Sequence, residues 1–177
     1  ECGLDYFYDY APKDLQKKVF IEQIKAAQIT GLPLIIHTRD ADDDTIEILD
    51  DMYKKQPFTG EIHCFSSSQK LADFALSIGF YISASGIITF NKSQSVRDVF
   101  ATVPMDRLLV ETDAPFLAPC PLRGRRNESS FVVHTAEVLA QIKGVSFDEL
   151  AQKTSDNFFN LFRKASDKGR YNFKCRV

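Results

Sequence analysis

Residues 31–41 read GLPLIIHTRDA, and the fold follows from this stretch and its neighbours. A segment of helical period, Asp14 to Thr30, precedes it and stops at Gly31, the left-handed position that a helix end favours. Leu34 to His37 is a short, isoleucine-rich run that predicts a β-strand. A helix that leads within a few residues into such a strand is typical of βα units, so we expect a parallel sheet flanked by helices.

The same alternation of helix and strand runs through the whole chain. Short apolar runs predict five strands: Glu1–Leu4, Leu34–His37, Gly60–Phe65, Phe80–Ala84 and Leu108–Glu111. Segments of helical period predict six helices: Asp14–Thr30, Asp42–Lys55, Ser68–Ile78, Ser93–Val103, Phe131–Lys143, and a last one opened by the capping box of Ser146 and Glu149. The buried face of the first helix is predicted to consist of Leu15, Val19, Ile24 and Ala27. This order of elements favours an α/β fold.

The number of units is small for the fold that they predict. Five βα units in 177 residues correspond to about five of the eight units of a (β/α)₈ barrel of the TIM type, which typically takes about 250 residues. The chain also begins at Glu1 without an initiator methionine, in what reads as the end of a strand. We therefore expect an N-terminally truncated barrel domain over residues 1–165. The lysines and arginines of residues 166–177 predict a basic, solvated C-terminal tail.

The composition narrows the class of protein. With 22 lysines and arginines against 24 aspartates and glutamates, the chain lacks the positive charge of a broad clamp on duplex nucleic acid, so any such contact should be local. No apolar run approaches the roughly 18 residues needed to span a bilayer, so no membrane segment is predicted. The four cysteines form no C-x-x-C pair, which argues against a zinc knuckle or a disulfide framework. We expect a soluble, cytoplasmic monomer.

Four ionisable residues fall at or just past the carboxyl ends of four different predicted strands: Glu1, His37, His63 and Asp113. The carboxyl ends of parallel barrel strands point to one face, where active sites are built. One βα unit separates His37 from His63, and two separate His63 from Asp113, so the period of the barrel would also bring these side chains together. Two imidazoles with two carboxylates suit Zn²⁺, Mn²⁺ or a similar divalent ion. Taken singly, each histidine would more often be a hydrogen-bonded structural residue.

Further polar residues lie near the same predicted face. Arg39 follows His37 closely and could contact a phosphate, although an arginine there is about as often an ion-pair partner. Arg125 and Arg126 lie in a loop after the last strand, where guanidinium groups suit phosphate oxygens, against the alternative of a solvated loop. Glu111 shares a side with Asp113 and is expected to orient its neighbours. Three other residues are expected to be structural: Cys2, Cys64 and His134.

Four blocks of the sequence resemble the signature blocks of TatD-family deoxyribonucleases. The blocks are Glu1–Tyr6 (ECGLDY), Leu34–Ala41 (LIIHTRDA), Ile62–Ser66 (IHCFS) and Glu111–Leu117 (ETDAPFL), followed by Arg125–Glu128 (RRNE). The resemblance runs from Glu1 to about Phe162. Each block is modest alone, but four in the right order and at the right spacing are highly specific.

The resemblance implies a distorted (β/α)₈ barrel of the amidohydrolase type that binds one or two divalent metal ions, Mg²⁺, Mn²⁺ or Zn²⁺. It also implies hydrolysis of phosphodiester bonds, with DNA single strands or ends as substrate, trimmed from the 3′ end. On this basis Glu1 bridges two metal ions and both His37 and His63 ligate one of them. Asp113 ligates the other and orients or deprotonates the attacking water. The family also has an H-x-H pair on its first strand, and none of the three histidines here has that spacing.

Two alternatives stay open from the sequence. Related barrels hydrolyse amides, esters or lactones with similar ligand sets, and fold alone does not settle the substrate. The arginine-rich loop is the main sequence feature that favours phosphodiesters. The second alternative is a truncated, non-catalytic remnant, because the first-strand histidines of the family are missing. Fewer than one tightly bound divalent ion per chain would favour the remnant.

Overall fold

The computed structural model of the chain describes residues 1–8 and 10–165. Within these residues, five parallel strands form one sheet whose strand order follows the chain. The strands are β1 (Cys2–Asp5), β2 (Leu34–Arg39), β3 (Gly60–Ile62), β4 (Tyr81–Ala84) and β5 (Leu108–Val110). Each strand lies beside the one that precedes it, as in a (β/α) barrel. All five carboxyl ends therefore lie at the same edge of the sheet.

Six α-helices occur in the described part of the chain, as the sequence predicts. They are α1 (Lys13–Thr30), α2 (Asp42–Lys55), α3 (Gln69–Ser77), α4 (Gln94–Thr102), α5 (Val132–Lys143) and α6 (Phe147–Leu161). The first four connect successive strands, and the last two follow β5. Among the described residues, no helix has both the length and the hydrophobicity to cross a bilayer. The predicted basic tail, residues 166–177, lies outside the described residues.

A row of aliphatic side chains crosses the sheet. Ile36, Ile62, Ile82 and Leu108 are register partners on β2 to β5, and each is fully buried. They share one hydrophobic core with helix residues such as Leu71 of α3. This face of the sheet is therefore covered by helices, as expected for parallel strands.

The helix ends agree with the sequence signals at two places. Gly31 follows α1 with a left-handed φ of 67°, and its N–H donates to the carbonyl of Ala27. Ser146 precedes α6, and its side chain accepts a hydrogen bond of 3.1 Å from the N–H of Glu149. Both predicted caps are confirmed.

The predicted buried face of α1 is partly wrong. Leu15 and Val19 are 52% and 51% exposed, whereas Phe20 is buried; the other two predicted residues are buried as expected. The amide of Gln16 explains the difference, because it accepts the N–H of Asp5 (2.8 Å) and donates to the carbonyl of Asp5 (3.0 Å). With Gln16 directed at the end of β1, Phe20 one turn later faces the core, and the two exposed residues face solvent.

Two strands end earlier than predicted. β3 ends at Ile62 and β5 at Val110, whereas the predicted strands extend to Phe65 and Glu111. Cys64 has a φ of 47°, a left-handed conformation that does not continue a strand. The site residues that follow β3 and β5 therefore lie in loops at the carboxyl edge of the sheet.

Gly3 is the residue whose replacement should damage the sheet most directly. It lies opposite His37 in the register of β1 and β2 with a φ of 136°, and a Cβ added to it would lie 1.9 Å from the carbonyl oxygen of His37. We expect Gly3→Ala to lower the free energy of unfolding by about 3 kcal/mol or more, because the methyl group must push the two strands apart. Urea unfolding followed by circular dichroism measures this loss.

Gly31→Ala is the matched control. Gly31 also has a positive φ, of 67°, but no atom lies within 4 Å of its Cβ position. This substitution should lower the free energy of unfolding by only about 1 kcal/mol, the cost of a left-handed alanine. Equal losses for the two variants would contradict the steric explanation.

Candidate metal centre

The four residues that the sequence predicts as metal ligands meet at the carboxyl edge of the sheet. Glu1, His37, His63 and Asp113 line one cleft of about 620 Å³. Glu1 lies between the two imidazoles: its Oε1 is 3.5 Å from His37 Nδ1, and its Oε2 is 3.8 Å from His63 Nε2. Asp113 Oδ1 lies 3.7 Å from the same Nε2 of His63. The predicted position of Glu1 at the carboxyl end of its strand is wrong, because β1 runs from Cys2 to Asp5 and Glu1 precedes it. The four side chains nevertheless converge on one volume.

The separations suit a shared cation better than direct hydrogen bonds. At 3.5 to 3.8 Å, these nitrogen and oxygen atoms are farther apart than hydrogen-bonded atoms usually are. Two ligand atoms that each lie about 2.1 Å from one Zn²⁺ in tetrahedral geometry are about 3.4 Å apart. One ligand atom from each of Glu1, His37 and His63 lies within 4.8 Å of the other two. The residues present therefore fit a divalent cation.

Glu111 holds the imidazole of His63. Its Oε1 lies 2.8 Å from His63 Nδ1, and its Oε2 accepts a hydrogen bond of 3.1 Å from the N–H of Cys64. Apart from the ion-pair contact with His63, the buried Oε1 has no hydrogen-bond partner among the described residues. Burial is the largest influence on the pKa of Glu111 and acts to raise it, but the contacts with His63 and the hydrogen bonds from Ser83 and the Cys64 N–H together lower that pKa. The contact leaves the Nε2 of His63 directed at Glu1 and Asp113, as an orienting role for Glu111 requires.

Asp5 holds the imidazole of His37 in the same way, although the sequence analysis did not single it out. Its Oδ2 lies 2.9 Å from His37 Nε2, which leaves Nδ1 directed at Glu1. Burial acts to raise the pKa of Asp5, but the N–H of Tyr8 and the imidazole of His37 lower it. A signal for Asp5 was present in the sequence, because alternate residues of a strand share a side and Glu1, Gly3 and Asp5 alternate.

The site has an excess of carboxylates. Burial raises the pKa of Asp113, and the neighbouring carboxylates of Glu111 and Glu1 raise it further. Glu61 on β3 is also buried, and burial together with Glu111 raises its pKa to about 7. The sequence gives no sign of this role for Glu61, because a carboxylate inside a strand has no local signal of its own. A divalent cation among these groups would offset their mutual repulsion.

Asn127 fixes the loop that carries Asp113. It is buried, and its side-chain amide donates to the carbonyl of Thr112 (2.7 Å) and to the carbonyl of Phe116 (2.6 Å). Its own N–H donates to the carbonyl of Pro115. Asp113 itself has a left-handed φ of 58°. These bonds keep the backbone on both sides of Asp113 in place, a role that the RRNE block does not reveal by residue type alone.

The predicted substrate arginines lie in two different environments. Arg39 lines the cleft of the metal centre, and its guanidinium carbon lies 3.6 Å from the ring centroid of Phe7. Arg125 and Arg126 lie in an exposed turn and are not among the residues that line the cleft. The structure therefore brings only Arg39 to the predicted ligands, and a phosphate contact of the other two stays a prediction.

The residues expected to be structural have structural partners. The Sγ of Cys2 lies 3.8 Å from the carbonyl of Ile35, and burial raises the pKa of Cys2 to about 11. Cys64 lies at the cleft with its Sγ 3.1 Å from the hydroxyl of Ser85, and burial raises its pKa to about 12. These thiols therefore stay protonated at neutral pH. His134 pairs with Glu137 on the same helix at 3.3 Å, outside the cleft.

The fold is of the (β/α) barrel type with a candidate metal centre at one edge of its sheet, and comparison with known proteins gives the family. The model of the family described as TatD related DNase matches residues 1–163. The chain is 44% identical over 163 residues to YabD of Bacillus subtilis and 47% identical over 162 residues to YcfH of Escherichia coli, both described as uncharacterized metal-dependent hydrolases. The chain belongs to the TatD-related DNase family.

Solved structures agree on the fold. A TatD homolog from Escherichia coli K12, YJJV, superposes with a TM-score of 0.85 at 31% identity. A TatD family hydrolase from Entamoeba histolytica superposes with a TM-score of 0.80 at 21% identity. Each match covers 92% of this chain and 62% of the other; the matches to YabD and YcfH cover 92% of this chain and 64% and 61% of those proteins. The predicted α/β barrel type is confirmed, and the chain spans less than two thirds of these relatives.

Replacing Asn127 should affect both the stability of the fold and the binding of metal. We expect Asn127→Ala to lower the free energy of unfolding by about 2 kcal/mol, because the carbonyls of Thr112 and Phe116 both lose a buried donor. We also expect at least tenfold weaker binding of Mn²⁺, because the loop that positions Asp113 is released. Urea unfolding and titration calorimetry with Mn²⁺ measure the two effects.

Asn157→Ala is the matched control for Asn127. Asn157 is also buried and also donates to two carbonyls, those of Met105 and Leu108, but these lie at the amino end of β5, away from the cleft. It should lower stability by a similar amount and leave Mn²⁺ affinity unchanged. A similar loss of affinity in both variants would show that general destabilisation, not the Asp113 loop, controls metal binding.

Proposed function

We propose that the whole protein is a metal-dependent hydrolase that cleaves phosphodiester bonds at the ends of single-stranded DNA, and that this chain carries its metal centre. The observation that supports the proposal most is the convergence of Glu1, His37, His63 and Asp113 in one cleft of a TatD-related DNase family member. The cleft also contains Arg39, which suits an anionic substrate. The near-neutral charge of the chain favours a local contact with a strand end over a duplex clamp.

Glu1, His37, His63 and Asp113 would hold the divalent ion, Mg²⁺, Mn²⁺ or Zn²⁺. When bound, such an ion polarises a phosphoryl oxygen and lowers the pKa of water. Two neighbouring carboxylates prepare the imidazoles for this role. A carboxylate only accepts hydrogen bonds, so His63 carries its proton on Nδ1 toward Glu111, and His37 carries its proton on Nε2 toward Asp5. When each ring is neutral, the nitrogen that faces Glu1 carries no proton and would be free to bind the ion.

We assign to Asp113 the role of orienting the attacking water. Its Oδ1 faces the cleft at 3.7 Å from His63 Nε2, without a closer partner of its own among the ion pairs of the described residues. Asp113 lines the cleft beside the other predicted ligands, so its carboxylate is placed to accept a proton from a water held there. Asp113 would orient the water and accept its proton, while Arg39 would contact the phosphate.

Hydrolysis of a single-stranded oligonucleotide labelled at its 5′ end tests the proposal. With Mg²⁺ or Mn²⁺ we expect progressive shortening from the 3′ end, and no shortening in excess chelator. His63→Ala should slow the reaction at least about 100-fold, because it removes a ligand rather than an outer partner. His134→Ala, which removes the histidine outside the cleft, should leave the rate unchanged. Shortening that persists in chelator, or that survives His63→Ala, would refute the assignment.

Glu111→Gln tests the contact that holds His63. The substitution keeps the shape of the side chain but removes its charge, so we expect the affinity for Mn²⁺ to fall by about 10- to 100-fold. Glu137→Gln is the matched control, because Glu137 also pairs with a histidine, His134, outside the cleft. Titration calorimetry should show a change only for Glu111→Gln, and unchanged affinity in both variants would remove Glu111 from the site.

A further inference from the structure

An aromatic surface lies at the mouth of the metal cleft. Phe7, Tyr8 and Tyr10, in the loop after β1, are 53%, 43% and 87% exposed, and Phe116, in the loop after β5, is 69% exposed. Tyr8 and Phe116 line the same cleft as the predicted metal ligands. Rings of this size are usually buried in a core, so their exposure on both sides of one cleft calls for a ligand.

The two ends of the segment that carries three of these rings are held close to the site. The Oδ1 of Asp5 accepts hydrogen bonds from the N–H groups of Phe7 (3.0 Å) and Tyr8 (3.1 Å). The amide of Gln16 donates to the carbonyls of Asp5 and Ala11, at 3.0 Å each, and so joins the two ends of the loop. The rings are therefore presented by a built turn that begins at a residue of the metal centre.

The rings form flat surfaces with a cation among them. Tyr8 and Tyr10 stack with their centroids 5.1 Å apart and their planes at 12°. The guanidinium of Arg39 lies 3.6 Å from the centroid of Phe7 and 5.1 Å from that of Tyr8. Aromatic rings beside a basic group are the combination that binds single-stranded nucleic acid, because every base has a face to stack and every linkage has a phosphate. The surface also continues directly into the cleft.

We propose that Tyr8, Tyr10 and Phe116, with Arg39, form a stacking subsite for the bases of single-stranded DNA whose phosphodiester lies at the metal centre. The inference rests on the proposed function. Stacking on the rings would hold the strand end, and Arg39 would contact the phosphate next to the stacked base. Because base faces are chemically similar, this subsite would read the presence of bases and not their sequence.

Two labelled strands of equal length test the subsite: hexathymidylate and a strand with the same phosphates but no bases. Both carry phosphorothioate linkages, which resist hydrolysis, and binding to the full chain with Mn²⁺ is followed by fluorescence polarisation. We expect the strand with bases to bind about tenfold or more tightly. The double variant Tyr8→Ala, Phe116→Ala should abolish this preference, measured as the ratio of the affinities of the same variant for the two strands. Tyr8→Phe should retain the preference, because it keeps the ring.

Phe147→Ala is the control, since Phe147 is an exposed phenylalanine outside the cleft. Equal affinity of the unaltered chain for the two strands would overturn the subsite, and so would a preference that survives the double variant. Self-association of the chain that is lost in the double variant, without any preference for bases, would assign the rings to a dimer contact instead and also overturn it.

The proposed function and the stacking subsite are tested by different measurements, so either proposal can be refuted without the other. The proposed function is tested by metal-dependent shortening of ordinary phosphodiester strands, with or without bases, and does not depend on which strand binds better. A chain that prefers bases but shortens neither strand would retain the subsite and lose the hydrolase assignment. A chain that shortens both strands at the same rate and binds them equally would retain the hydrolase and lose the subsite.

Discussion

The parallel register of neighbouring strands is the constraint on which the site depends. Because every strand runs in the same direction beside its predecessor, the residue that ends each strand arrives at one edge of the sheet. Gly3 makes the first pairing possible, since the backbone of β1 lies against the carbonyl of His37 where a side chain would collide. Glu1 precedes β1 rather than ending it, and the pairing of Gly3 with His37 brings Glu1 close to that imidazole.

Electrostatic repulsion between carboxylates is the second constraint. The fold holds these carboxylates close together in spite of their repulsion. Carboxylates crowd around His63, and burial makes their charges harder to accommodate. The arrangement persists because neutral groups hold it: the N–H of Cys64 on Glu111 and the amide of Asn127 on the loop of Asp113. A divalent cation held among these carboxylates would offset part of their repulsion.

The helices, the strands and the edge of the sheet at which the predicted ligands meet could be predicted from the sequence. Hydrophobic period and glycine position indicate local structure directly. Strand alternation placed Asp5 on the same side as Glu1, but its contact with His37 depends on strand register. The role of Asn127 depends on the closure of a distant loop and has no such signal. The face of α1 shows the same limit, since hydrophobic period cannot foresee that the polar Gln16 turns inward to hold the end of β1. The local sequence around a residue that positions other side chains gives little indication of this role.

The two oxygens of the Asp5 carboxylate make contacts with two different parts of the site. One contacts the imidazole of His37, and the other holds the turn that presents Phe7 and Tyr8. Any change in the charge felt by His37 therefore alters the free energy of that turn, and thermodynamic linkage makes the effect reciprocal. The metal ion and the DNA strand would then bind cooperatively. Binding of either one would order the part of the site that binds the other, because Asp5 contacts both parts. This coupling would act through one side chain and would not require the barrel to move.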